Sequence, residues 1–170
     1  MTRESVRTHS RRLSARDGLV ARPARPDDVE QISRLSAPFV EEGLLIARPT
    51  AELAEKTQEF VVACEGDRLV GCAGMAPAGR SLVVYNLCIA DDWQGRGIGR
   101  HLVGVAANIG REQGYYSLLA LTRCGGEWFG KLGFSKVPVS ETRQEWRTLF
   151  RPGRRSSLYQ LRLASEQSGD

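Results

Sequence analysis

Apolar residues along this chain fall into two kinds of run, and the change from one to the other predicts its elements. Residues 82–89 (LVVYNLCI) are apolar and β-branched, which predicts a buried strand. Residues 60–64 (FVVAC) and 69–75 (LVGCAGM) are similar runs, and Glu65-Gly66-Asp67-Arg68 between them predicts a hairpin turn. Residues 19–25 (LVARPAR), 118–122 (LLALT) and the alternating 156–163 (SSLYQLRL) complete the predicted strands. Helical spacing appears instead at Ile98, Leu102, Val103, Ala106 and Ile109, running to about Gln113, with Gly114 as the stop signal. Val29, Ile32, Leu35 and Ser36 form another helical stripe behind the start signal Pro26-Asp27-Asp28. Thr50 is expected to cap a short helix over 51–58, and further helices are expected over 125–132, before the turn Gly133-Phe134, and over 141–149. Residues 43–49 (GLLIARP) read as an apolar loop. The order β-α-α-β-β-β-α-β-α-β carries no repeat and no linker, so one α/β (α+β) domain is expected over 19–165, with a tail at 166–170.

Between the long strand run and the helix that follows lies Gln94-Gly95-Arg96-Gly97-Ile98-Gly99. A glycine-rich turn opening a helix leaves backbone N–H groups unpaired and directs the positive end of the helix dipole outward. Glycine also lets an anion approach without a Cβ in the way, so the segment is a candidate pyrophosphate site. Its Gly-x-Gly-x-Gly spacing fits neither the dinucleotide fingerprint nor a Walker loop. Packing alone is the competing explanation of such a turn.

Composition narrows the function classes. A chain of 170 residues with 41% apolar and 26% charged content suits one globular domain. No apolar run approaches the roughly 18 residues of a membrane helix, and the N-terminal stretch has no apolar middle region, so no secretory signal is expected. The cytoplasm is the expected compartment. Residues 1–16 hold five arginines against Glu4, a net +4 that equals the charge of the whole chain, so the remainder balances to zero. The basic excess therefore belongs to an arm, 1–18, expected to be disordered. That arm has no interleaved aromatics to stack bases, which argues against a nucleic-acid partner and leaves a homodimer contact open. Cys64, Cys72, Cys88 and Cys124 form no C-x-x-C pair, and with only His9 and His101 beside them no metal site is expected.

The strand, the turn and the helix together resemble the Gln/Arg-x-x-Gly-x-Gly/Ala signature of the GCN5-related N-acetyltransferases (GNAT). Further stretches are similar to the acetyltransferase domain of bacterial N-acetylglutamate synthases: Arg25-Pro26-Asp27-Asp28, residues 42–48 (EGLLIAR), residues 120–134 (ALTRCGGEWFGKLGF), Glu141-Thr142-Arg143 and Gly153-Arg154-Arg155-Ser156-Ser157. The likeness spans about residues 19–163 and lacks the amino-acid kinase domain of the two-domain enzymes, so a stand-alone short form is expected. The resemblance implies a mixed, mostly antiparallel sheet splayed beside the cofactor site, and acetyl-CoA as co-substrate. It implies cofactor contacts at Leu87, Cys88 and Ile89 and through Gln94, Gly95, Arg96, Gly97, Ile98, Gly99 and Arg100, with a backbone N–H near Leu87 polarising the thioester. It also implies an amino-acid acceptor held by Arg48, Arg154 and Ser156, beside the backbone of Ile46. Forked guanidinium groups suit the two carboxylates of such a molecule.

The same resemblance puts a proton-accepting glutamate on the long strand, where this chain has Val83, and no acid lies between Leu82 and Ala90. Orientation of a free amine against a thioester supplies much of the acceleration by itself, and an ordered water on Asn86 or on a backbone carbonyl is a candidate source of base help. Thr122 is the candidate for protonating the departing thiol, against the alternative of a structural strand threonine. Three functions follow: acetylation of L-glutamate or a related amino acid, acetylation of another small amine, or a coenzyme A-binding module without turnover.

Overall fold

In the computed structural model, which describes residues 18–163, the long apolar run becomes strand β4 at the centre of a seven-stranded sheet. The strands are β1 (Leu19–Pro23), β2 (Phe60–Glu65), β3 (Arg68–Ala78), β4 (Ser81–Ile89), β5 (Ser117–Thr122), β6 (Ser135–Lys136) and β7 (Ser157–Arg162), in the spatial order β1-β2-β3-β4-β5-β7-β6. All neighbours are antiparallel except β4 and β5. A parallel pair needs a crossover, and helix α3 (Ile98–Glu112) supplies it. The other helices are α1 (Val29–Glu41), α2 (Thr50–Glu55), α4 (Gly126–Lys131) and α5 (Gln144–Arg147).

Alternation along β4 divides the core between the two faces of the sheet. Leu82 and Val84 pack with Ile98, Leu102 and Ala106 of α3. Val83 and Tyr85 face the opposite way, Val83 against Trp146 of α5 and Leu158, Tyr85 towards Ile32, Leu53 and Phe60 around α1 and α2. The α1–α2 and α5 clusters share one face with a gap between them, and β4 runs under the gap. A β-bulge then breaks the register: Cys72 pairs with Cys88 but Gly74 with Tyr85, leaving Asn86 and Leu87 opposite the single Ala73. The extra residue reverses the alternation, so beyond it Leu87 and Ile89 face α3 while Cys88 faces α1.

The start of α1 is fixed by a buried ion pair. Both terminal nitrogens of Arg22 donate to Asp28, at 2.6 and 2.9 Å, and the backbone N–H of Arg25 donates to the same carboxylate at 2.7 Å. This ties β1 to the turn that opens the helix.

Several expectations change in detail. Thr50 is the first residue of α2 and caps nothing, because Pro49 already holds the extended conformation that an N-cap position takes (φ −57°, ψ 147°). That helix stops at Glu55 and gives way to a 3-10 turn, where the Thr57 hydroxyl bonds back to the carbonyls of Leu53 and Ala54. The helix expected over 141–149 is one turn, Gln144–Arg147, since Thr142 and Arg143 are extended; burial of Trp146 anchors it. The two-residue β6 was not foreseen. Cys64, Cys72 and Cys88 are buried and Cys124 exposed, all as free thiols. No described helix is long and apolar enough to cross a membrane. The basic arm (1–18, of which only Gly18 is described) and the tail (166–170) lie outside the described residues.

Candidate active site

The glycine turn adopts the geometry that only glycine takes readily. Gly95 and Gly97 have φ of +75° and +81°, and Gly97 is the N-cap of α3. Nothing lies within 4 Å of where a Cβ would stand on either residue, so the turn is open. The first intrahelical bond is made by the N–H of His101 to the Gly97 carbonyl, and the N–H groups of Ile98, Gly99 and Arg100 precede it at the helix start. Gln94 braces the entry by donating to the Ile89 carbonyl at 3.1 Å and to Asp91 at 3.2 Å. Arg96 is held over the Trp93 ring at 4.3 Å. Gly99 is crowded for a different reason: a Cβ there would stand 3.1 Å from the Trp128 indole, which would have to give by a few tenths of an ångström.

β4 and β5 pair only as far as Val84 and Ala120 and then diverge. A cavity of about 570 Å³ occupies the opening and runs from the glycine turn past Leu87, Cys88 and Ile89 to Thr122 and Trp128. It brings together every predicted cofactor contact except Arg96, whose guanidinium is on Trp93 instead. Thr122 also has a structural task, its Oγ accepting the N–H of Gly125 at 2.7 Å ahead of α4. The hydroxyl keeps its own proton to donate.

A smaller cavity of about 240 Å³ lies on the α1–α2 side, over Val83, and meets the first at Tyr85, Asn86, Leu44 and Leu121. Ile46, Arg48, Arg154 and Ser156 line it together, although 106 to 110 positions separate the loop residues from the C-terminal ones. Arg48 donates to Glu52 at 2.9 Å and lies 4.4 Å above the Tyr85 ring. Lys56 shares Glu52 at 3.1 Å, and these two cations hold the Glu52 carboxyl below its usual range, the Lys56 hydrogen bond contributing most. Arg154 donates to the Leu44 carbonyl at 2.8 Å, which ties the C-terminal segment to the loop after α1. Arg123, from the turn after β5, donates to the adjacent Gly43 carbonyl at 3.1 Å.

Sequence reasoning missed Lys56, Arg151 and Tyr85, which line the same cavity. Arg151 was visible within the basic stretch Arg151-Pro152-Gly153-Arg154-Arg155; nothing in the sequence marked Tyr85 as more than a strand aromatic. Asn86 sits at the bulge with φ of +50°, a conformation asparagine tolerates better than most residues. Its amide donates to Ser36 Oγ at 2.8 Å, and Ser36 donates to the Ile32 carbonyl at 2.7 Å, so the side chain anchors the bulge to α1 while bordering both cavities.

The profile of the acetyltransferase (GNAT) domain family matches residues 56–136, from Lys56 through the glycine turn to β6. The chain carries a GNAT acetyltransferase domain. It is 26% identical over 144 residues to the amino-acid acetyltransferase of Vibrio cholerae, covering 84% of this chain and 32% of that one. Among solved structures, the GNAT domain superposes on N-acetylglutamate synthase from Neisseria gonorrhoeae, complexed with coenzyme A and N-acetyl-glutamate, with a TM-score of 0.81. Identity there is 28%, over 86% of this chain and 35% of that one. A Mycobacterium tuberculosis protein crystallised with coenzyme A shares the fold at a TM-score of 0.73 and 22% identity, over 85% of this chain and 99% of its own. This chain thus spans about a third of the length of the curated amino-acid acetyltransferases it matches.

Proposed function

We propose that this GNAT domain transfers acetyl from acetyl-CoA to the α-amino group of an acidic amino acid, L-glutamate or a close relative, within a ternary complex. The observation that carries the reading is the meeting of two unlike cavities at the β4 bulge. One opens onto the N-terminus of a 15-residue helix, where anions are favoured. The other holds Arg48, Lys56, Arg151 and Arg154, with no carboxylate among its lining residues. A pyrophosphate on the glycine turn and the pantetheine arm along β4 would bring the thioester to the bulge, where the ladder is interrupted and backbone N–H groups can polarise a carbonyl. The acceptor's carboxylates would be held by Arg154 and Ser156 on one side and by Arg48 on the other, placing its nitrogen at the junction. Thr122, which lines the larger cavity, would supply the proton to the leaving thiol.

Four cations against the single carboxylate of Glu52, which Arg48 and Lys56 share, leave an excess of positive charge that favours an anionic acceptor over a neutral amine. Arg48→Ala and Arg154→Ala are each expected to raise the KM for glutamate roughly ten- to hundred-fold, the equivalent of a charge-assisted hydrogen bond of about 1.5–3 kcal/mol. The KM for acetyl-CoA should stay near its original value. An acetyl-CoA-dependent thiol-release screen against the proteinogenic amino acids and simple amines tests the reading directly. Preference for an uncharged amine over every acidic amino acid would overturn it.

A further inference from the structure

An α-amino acid arrives at neutral pH as an ammonium ion, and its nitrogen attacks a thioester only after losing a proton. No aspartate, glutamate or histidine lines either cavity, and Val83 stands where a carboxylate was expected on β4. Tyr85 is the one phenol at the junction of the two cavities. Its hydroxyl donates to Glu59 Oε2 at 2.5 Å, just outside the acceptor cavity. The ring is held on every side. Three of its atoms lie 2.6–2.9 Å from where a Cβ on Gly74 would stand, so it rests flat on the glycine. Phe60 meets it edge-on with centroids 5.4 Å apart, and Arg48 covers it.

We infer that Tyr85 and Glu59 form the proton exit of the acceptor cavity, Tyr85 receiving a proton from the acceptor's ammonium group as it passes its own to Glu59. The inference rests on the amino-acid acceptor reading above. Burial and the neighbouring Glu59 carboxylate keep Tyr85 protonated, so it relays a proton and does not store a negative charge. The charged groups around it are Arg48, Glu52 and Lys56 on the α2 side, Glu59 beyond its hydroxyl, and Arg151 and Arg154 across the cavity.

The step balances. The ammonium N–H bond breaks and its proton goes to Tyr85 Oη while the Tyr85 proton goes to Glu59. The freed lone pair forms the C–N bond at the thioester carbonyl. Collapse breaks the C–S bond, and the thiolate takes the remaining excess proton from nitrogen through the Thr122 hydroxyl. Amide and free thiol result, and protonated Glu59 releases its proton to water.

Tyr85→Phe and Glu59→Gln test this with little risk to the fold. The first keeps the ring on Gly74, and the second keeps an oxygen to accept the Tyr85 hydroxyl. Steady-state kinetics of the full chain would follow both variants and their combination as pH rises through the acceptor's ammonium pKa. Each single change should lower kcat near neutrality by roughly 10²- to 10⁴-fold, the usual worth of general-base help, with the KM for acetyl-CoA unchanged. The double variant should lose no more than either single one, because the two groups act in series. The deficit should shrink above the ammonium pKa, where the nucleophile arrives already deprotonated. Wild-type turnover in Tyr85→Phe, a loss equal at every pH, or additive losses in the double variant would each overturn the relay. Wild-type kinetics separate the two readings. If the wild type acetylates some amine but no acidic amino acid, the acceptor reading falls and the relay is scored with that amine. If it acetylates no amine, both fall.

Discussion

Replacing Gly97 by aspartate should abolish coenzyme A binding while leaving the sheet in place. The residue sits at φ of +81° at the N-cap of α3, so any side chain strains the turn, and a carboxylate there would oppose a pyrophosphate directly. Nothing lies within 4 Å of the new Cβ, so the substitution meets no neighbour in the core. Loss of two or three charge-assisted hydrogen bonds of about 1.5–3 kcal/mol each predicts affinity lower by roughly two to six orders of magnitude. Calorimetric titration with coenzyme A measures this, and far-ultraviolet circular dichroism checks that the fold persists. Wild-type affinity in the variant would mean that the pyrophosphate binds elsewhere.

The second large effect concerns stability. Asp28→Ala should cost about 3 kcal/mol or more, because it strands the mostly buried Arg22 guanidinium without its counter-ion and leaves the Arg25 N–H unpaired. Urea unfolding would show it as a lower midpoint with an unchanged slope. The pair also gives a pH signature. The Arg22 hydrogen bond, followed by that of the Arg25 backbone, holds the Asp28 carboxyl below its ordinary value against the opposing effect of burial. A carboxyl with a depressed folded pKa contributes stability that is fully present above its unfolded pKa of about 3.9 and is lost as pH falls through the folded value. The wild type should therefore lose this increment in acid, and Asp28→Ala should lack that part of the acid dependence. Parallel acid profiles for the two proteins would show that the pair contributes little.

Much of this architecture was legible because it depends on periodicity and on turn chemistry. The apolar run of β4, the helical stripe of α3 and the three glycines between them need no distant partner to be recognised. What escaped depended on tertiary context. The one-turn α5 exists because Trp146 is buried against Val83 and Leu158, and no local pattern announces that. The β4 bulge was invisible because a register shift is a property of two strands, and it decides which side chains face α3 and which face the acceptor cavity. Arg48, Arg154 and Ser156 were found by resemblance, whereas Lys56, Arg151 and Tyr85 needed the folded chain. For Asn86 the folded chain added a task that the sequence did not show, the tie that fastens the bulge to α1.

The loop that closes the acceptor cavity is fastened by its carbonyl oxygens. Arg123 reaches Gly43 and Arg154 reaches Leu44, both from the β5–β7 side of the opening in the sheet. A peptide oxygen is the same whatever side chain its residue bears, so both ties tolerate substitution at Leu44, Leu45 and Ile46. These two ties thus use the peptide oxygens of Gly43 and Leu44, while the side chains of Leu44, Leu45 and Ile46 line the cavity. If this cavity takes the acceptor, its preference can be redesigned by exchanging those side chains one at a time while both arginine ties stay in place. Leu45, which also packs against the α1–α2 cluster, is the one exchange that touches the core.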